Sequence, residues 1–155
     1  MNDVALKVVD PLPAPTYSVI SYSSSELPKN YEGYLFSHWL NNQRYKNPTF
    51  KSMPEHLNKE FYAQYHIFIE KLLAKPDSLT KLAVASDDHD IVYGFSVSRE
   101  DVLDYIYVGR DFRRSGIGTS LMPPKVSIFT NITTIAIDIW QNNPKYKHLV
   151  FNNKI

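Results

Sequence analysis

The apolar positions of this chain repeat every second residue in some stretches and every third or fourth in others, and the switch between periods lays out its elements. Tyr17–Ser23, YSVISYS, alternates and predicts a strand. Leu27, Tyr31, Leu35 and Trp39 recur at intervals of four and predict a helix over residues 28–42, opened by Ser24, Ser25 and Pro28. Residues 45–51 then read as a loop. Ser52-Met53-Pro54-Glu55 has the order of a capping box, and Leu57, Phe61, Tyr65, Phe68 and Leu72 follow on one face of a second helix that ends before Lys75-Pro76-Asp77. Next come three runs rich in β-compatible residues, at 79–86, 91–98 and Val102–Val108. The turns between them are short and polar, which predicts an antiparallel meander. A glycine-bearing loop at 113–118 opens a short helix that Pro123-Pro124 must stop or kink near Met122. Residues 132–140, ITTIAIDIW, predict a buried strand lying parallel to Val102–Val108 after a crossover. Pro11, Pro13 and Pro15 make residues 1–16 an extended N-terminal arm, which leaves 17–155 as one domain.

Composition narrows the function classes. With 155 residues, 43% of them apolar, the chain can bury a real core. A formal net charge of +1 argues against a broad nucleic-acid surface. Having no cysteine, the chain cannot form a disulfide, a thiol nucleophile or a thiolate metal site. His56 and His66 do not share a metal-ligand spacing, and Asp87-Asp88-His89-Asp90 at a hairpin tip cannot converge on one ion, so no metal is expected. No apolar run approaches the ~20 residues of a membrane span, and no basic stretch followed by an apolar core opens the chain. The expected location is the cytoplasm, without a membrane partner.

The chemistry concentrates in Arg113-Arg114-Ser115-Gly116-Ile117-Gly118. Its glycines let backbone approach a ligand closely, and the helix it opens starts with amide N–H groups that lack intrahelical partners. With two arginines alongside, this is an anion site suited to a phosphate or pyrophosphate. The order is more specific than the glycines alone: an apolar strand ending at Val108, five residues to Arg113, then R-x-x-G-x-G running into an apolar helix. Neither the Walker pattern nor the dinucleotide fingerprint occurs. This order resembles the acetyl-CoA-binding motif, Q/R-x-x-G-x-G/A, of the GNAT superfamily of N-acetyltransferases. Ile91-Val92-Tyr93-Gly94-Phe95 is similar to that superfamily's third strand.

The resemblance implies an α/β fold of GNAT type over residues 17–140: a mixed, mostly antiparallel central sheet flanked by helices, with strands splayed at the CoA site. It also implies an abbreviated C-terminal part, because NNPKYKHLVFN keeps the Asn, Tyr and Phe of the usual signature only at altered spacing. The implied activity is transfer of acetyl from acetyl-CoA, a cosubstrate, to a primary amine by direct attack. Tyr107 and Val108 would offer main-chain groups to the pantetheine arm. Arg113, Arg114, Ser115, Gly116, Ile117 and Gly118 would present amides to the pyrophosphate, and Thr119 a hydroxyl. An amine of pKa about 10.4 needs a base. Asp104 stands on the motif strand and, if alternation holds, points with Ile106 and Val108; its other reading is a residue that merely pairs with a neighbour or faces solvent, and Glu100 is the other nearby carboxylate. Tyr146 is placed to protonate the leaving thiolate, with Tyr105 and Tyr107 as further candidates. The acceptor is an amine on a small molecule or a protein, and a homodimer could complete its site. Two other readings stay open. One is a GNAT-fold acyl-CoA-binding or protein-interaction module without catalysis. The other is a nucleic-acid binder using Arg110, Arg113 and Arg114, which the near-zero net charge disfavours.

Overall fold

In the computed structural model, residues 16–131 and 150–152 are described. Residues 1–15 of the arm, the predicted strand at 132–140 and Tyr146 lie outside them. The described strands form one six-stranded sheet in the order β1-β2-β3-β4-β5-β6. β1 (Tyr17–Ser23), β2 (Leu79–Ala85), β3 (Val92–Arg99) and β4 (Val102–Val108) pair antiparallel in succession. β5 (Ile128–Phe129) then joins β4 in parallel, and β6 (Val150–Phe151) joins β5 in parallel. The sheet is therefore mixed and mostly antiparallel, and the parallel partner of β4 begins at Ile128.

Alternation along the strands divides the core between the two faces of the sheet. On one face, Leu82, Val84, Phe95, Val97 and Tyr105 meet Leu35 and Trp39 of α1 (Lys29–Lys46) and Ile69, Leu72 and Leu73 of α2 (Asn58–Leu73). On the other, Ala83, Ile106 and Val108 receive Ile117 and Leu121 of α3 (Ile117–Leu121), a helix of little more than one turn.

Two helix boundaries and one buried face differ from expectation. α1 continues past Asn41-Asn42-Gln43 to Lys46, because those residues have partners that outweigh weak helix propensity. Asn42 donates to the Tyr105 hydroxyl, and the buried Arg44 donates to Asn58 Oδ1 and to the carbonyls of Phe50 and Met53. Those bonds fold the α1–α2 connection onto the end of α1. Consequently the capping box at Ser52 does not open α2, which starts at Asn58 after a single 3-10 turn over Glu55–Leu57 and has no side-chain cap. The buried face of α2 is also turned: Phe61, Ile69, Leu72 and Leu73 are inside, while Leu57 and Phe68 remain exposed.

Candidate functional site

β4 enters the site with one closed end and one open end. At its start, Val102 and Leu103 pair with Ile128 and Phe129, and the Thr130 amide donates to Leu103 O. Among the described residues no strand pairs with that edge beyond Leu103. The other edge is held throughout by β3, where Gly94 permits the closest approach: a Cβ there would lie 2.5 Å from the Tyr107 carbonyl oxygen.

Asp104 sits where the strand closes, and alternation fails there. Val97 pairs with Tyr105 but Ser98 pairs with Leu103, so Asp104 is the extra residue of a β-bulge. Leu103 and Ile106 therefore share a face, and Asp104 does not project with Ile106 and Val108 as strict alternation predicts. Its carboxylate is buried and accepts from Arg99 Nε (2.7 Å), Arg99 Nη2 (2.9 Å) and Thr130 Oγ1 (2.7 Å). The same contact raises the Arg99 guanidinium's affinity for its proton, chiefly through the hydrogen bonds to Asp104. A carboxylate with a bidentate guanidinium and a hydroxyl on it is neutralised in place; of the two readings weighed for Asp104, this is the pairing with a neighbour. Glu100, in the β3–β4 turn at φ 48°, is at the far end of β4 from Val108.

Past Val108 the chain forms the anion loop. Gly109 N–H donates to Tyr93 O at 2.7 Å, and a 3-10 turn over Arg110–Phe112 stacks Phe112 on Tyr93. Arg113 folds back, its Nε donating to Val108 O at 2.9 Å, so this exposed side chain ties the loop to the strand end. Arg114 (φ 60°) and Gly116 (φ 88°) both adopt left-handed backbone, the conformation from which concave amide nests are made. Ser115 Oγ donates to Phe112 O (2.6 Å). The first backbone bond of α3 runs from Ser120 N–H to Gly116 O, so the amides of Ile117, Gly118 and Thr119 have no carbonyl within the helix to bond. Buried Ile117 and Leu121 anchor this turn, and Ser96 Oγ donates to Leu121 O at its far end (2.6 Å). Gly118 differs from Gly94 and Gly116. Its φ is not left-handed, and a Cβ there would meet only Val108 Cγ2 at an ordinary 3.7 Å. Nothing inside the described protein requires a glycine at that position. Thr119 is exposed beside it.

The open half of β4 carries a side-chain set that sequence reading missed. The Tyr107 ring lies on His38 of α1 (centroids 4.6 Å apart), and His38 contacts Tyr34 (4.2 Å). Burial lowers the His38 pKa below its usual 6.5, so the imidazole is neutral at neutral pH. Its signal was its helical position, four residues from Tyr34 and three from Leu35, beside the apolar stripe. Tyr105, stacked on Trp39 and bonded to Asn42, is buried and has its phenol pKa raised by that burial.

No family model matches this sequence, and no curated protein is significantly similar to it. Solved structures are. A candidate acetyl transferase from Pyrococcus furiosus superposes with TM-score 0.54 at 15% identity, over 90% of this chain and 84% of that one. A ribosomal-protein-alanine N-acetyltransferase from Brucella melitensis gives 0.41 at 15% identity over 88% and 79%. A candidate GNAT family acetyltransferase from Staphylococcus aureus gives 0.42 at 15% over 88% and 98%. The first carries the comparison: the chain has a GNAT-like fold, its described strands forming a mixed six-stranded sheet with flanking helices.

Proposed function

We propose that this protein is an acetyl-CoA-dependent N-acetyltransferase acting on a primary amine by direct attack. The observation that carries the reading is the juxtaposition of a β4 edge with which no described strand pairs beyond Leu103 and a loop whose left-handed Arg114 and Gly116 lead into amides at Ile117, Gly118 and Thr119 that have no carbonyl within the helix to bond. Acetyl-CoA supplies the activated acyl group. The loop amides and the Arg114 guanidinium bind its diphosphate, and Arg113 holds the loop to Val108. The strand end at Tyr107 and Val108, where no described strand pairs with the edge away from β3 and Arg113 holds the Val108 carbonyl, serves the pantetheine arm, in the manner of a strand added to an edge. Gly118 is then explained by close approach of the ligand, since internal packing does not explain it.

In this reading His38 takes a proton from the acceptor ammonium, and the freed amine nitrogen bonds to the thioester carbonyl carbon. The carbon–sulfur bond breaks, the departing thiolate takes a proton from a phenol, and the second proton lost by the acylated nitrogen restores that phenol. Tyr146 keeps that role, with Tyr107 the other candidate; Tyr105 is buried, its ring stacked on Trp39. A strand amide near Val108 stabilises the oxyanion.

Calorimetry with acetyl-CoA, on the wild type and on Gly116→Glu and Arg114→Ala, tests the reading. Binding by the wild type, abolished in Gly116→Glu and weakened in Arg114→Ala, is expected, together with turnover on an amine. If saturating coenzyme A leaves the melting temperature and the Gly116 and Gly118 amide resonances unmoved, the reading fails. The second reading, an acyl-CoA-binding module without catalysis, draws support from Asp104, whose carboxylate is bound to Arg99 and Thr130. Tight binding without turnover on any amine would favour it.

A further inference from the structure

Successive residues of a strand turn their backbone groups to opposite neighbours, and the bonds at the end of β4 show which residue faces which way. Gly109 N–H donates to Tyr93 O at 2.7 Å, in a register that sets Tyr107 opposite Phe95 and Tyr105 opposite Val97. Tyr105 and Tyr107 therefore turn their amides and carbonyls to β3. The Tyr107 carbonyl oxygen, 2.5 Å from a Cβ placed on Gly94, lies on that side. Ile106 and Val108 alternate with them and face the other edge, where no described strand pairs beyond Leu103.

Side chains stand at both limits of this stretch. At one end Arg113 Nε donates to Val108 O (2.9 Å). At the other, Asn131 Nδ2 donates to Asp104 O (2.6 Å). A carbonyl oxygen only accepts, so the amide nitrogen must be the atom facing Asp104, and Oδ1 is left to accept from the Tyr65 hydroxyl of α2 (2.7 Å). Burial raises the Tyr65 phenol pKa, so this donor keeps its proton. Just before Asn131, the Thr130 amide takes Leu103 O (3.0 Å). Of the carbonyls on this edge, those of Leu103, Asp104 and Val108 are thus occupied, and that of Ile106 lies between them. An extended ligand laid along a strand edge can slide by one two-residue repeat, about 7 Å. A slip of that size on β4 exchanges Ile106 for Asp104, and a reacting centre misplaced by even ~1 Å can lose about 10²-fold in rate.

We infer that Asn131 is a positioning residue: its side-chain amide closes the β4 edge at Asp104 as Arg113 closes it at Val108, and the two stops fix the register in which an extended, amide-bearing arm bonds to Ile106 and Val108. The inference rests on the acetyl-transfer reading for the identity of that arm, the pantetheine of coenzyme A.

The test is an NMR titration of the full chain with coenzyme A, on the wild type, Asn131→Leu and Tyr65→Phe, with a thermal melt of each. Leucine matches asparagine in shape and lacks the donor, and position 131 borders a cavity of about 500 Å³ that gives the new side chain room. In the wild type, coenzyme A should move the Ile106 and Val108 amide resonances and leave the Asp104 carbonyl resonance in place. In Asn131→Leu it should also move the Asp104 carbonyl, with affinity changed less than about threefold, because one backbone bond replaces another. On any amine that the wild type acetylates, kcat should fall at least about tenfold while the KM for acetyl-CoA stays within about threefold. An asparagine that only holds the fold would lower the melting temperature without bringing Asp104 into contact with the ligand. Tyr65→Phe keeps the ring and releases the Asn131 amide, so it should give the same response in smaller measure; it decides the matter if Asn131→Leu melts early. Coenzyme A that moves the Asp104 carbonyl in the wild type, or that gives the wild-type pattern in both variants, overturns the inference and leaves acetyl transfer standing. The slipped pattern without turnover of any amine upholds the stop and sinks catalysis. A wild type that does not bind coenzyme A sinks the acetyl-transfer reading and the inference with it.

Discussion

The two halves of β4 are seven residues of one strand with opposite fates. The first half is closed: β5 lies on its edge, and its one charged side chain, Asp104, is neutralised by Arg99 and Thr130. The second half is open: no described strand covers Tyr105–Val108 on that side, and its side chains meet His38 on one face and α3 on the other. The contrast shows that a carboxylate on a motif strand serves whichever half it falls in. Asp104 is four residues from Val108, and the bulge turns its carboxylate into the structure, onto Arg99 and Thr130.

The largest expected effect comes from opening the closed half. Arg99→Ala strands a buried carboxylate, and removing one partner of such a pair costs roughly 3–5 kcal/mol. Urea denaturation should register a loss of that size. Asp104→Asn sharpens the comparison: if Asp104 is structural, the rate per folded molecule survives while stability falls. A well-folded Asp104→Asn protein with abolished turnover would return Asp104 to the chemistry.

His38 probes the open half. A general base contributes about 10²–10⁴-fold, so His38→Gln should lower kcat by at least about a hundredfold with little change in acetyl-CoA binding. The sign of the pH dependence follows from the direction of the shift. Because burial favours the neutral imidazole, the active form gains as pH rises through a pKa below 6.5, and kcat should be flat above that. The same group makes the folded state bind fewer protons than the unfolded one. Its contribution to stability is complete above about pH 6.5 and is lost as pH falls below that toward the folded-state pKa. An acid limb that persists unchanged in His38→Gln would assign the base elsewhere.

Much of this contrast was legible in the residues, and the rest was not for definite reasons. β1 falls where alternation puts it and β4 where its run of β-compatible residues does, and the loop follows β4 as its glycines and arginines predict. The bulge at Asp104 has no local signal: it is made by Ser98 pairing with Leu103, a register set by β3. The extension of α1 depends on where Tyr105 and the Phe50 and Met53 carbonyls lie in space. His38 carries no motif of its own, and only its seat on Tyr107 makes it a candidate. The aromatic spacing of α2 predicted a core face, yet Phe61 and Tyr65 also wall a cavity, a distinction that periodicity does not carry.

Gly94→Ala sits between the halves in size. Its Cβ would press the Tyr107 carbonyl at 2.5 Å, so β4 must shift away from β3, at about 1–3 kcal/mol for overpacking. The melting temperature should drop, and the amide resonances of Tyr107 and Val108 should move more than those of Val102 and Leu103. Equal movement at both ends would mean that β4 responds as one rigid strand and that the contrast is only one of edge pairing.

The smallest change on the protein is the most informative about the ligand. In Gly118→Ala the new methyl makes an ordinary 3.7 Å contact with Val108, and alanine is the better helix residue by roughly 1 kcal/mol. Stability should hold or rise slightly. If the open end of β4 and its loop exist to receive a diphosphate, the same methyl stands in the space that Gly118 leaves for it, and coenzyme A affinity should fall about tenfold or more while the melting temperature does not. Affinity and stability moving in opposite directions would identify Gly118 as a position kept open for a ligand. A Gly118→Ala protein that binds coenzyme A as tightly as the wild type would mean that the loop's backbone does not approach the diphosphate there.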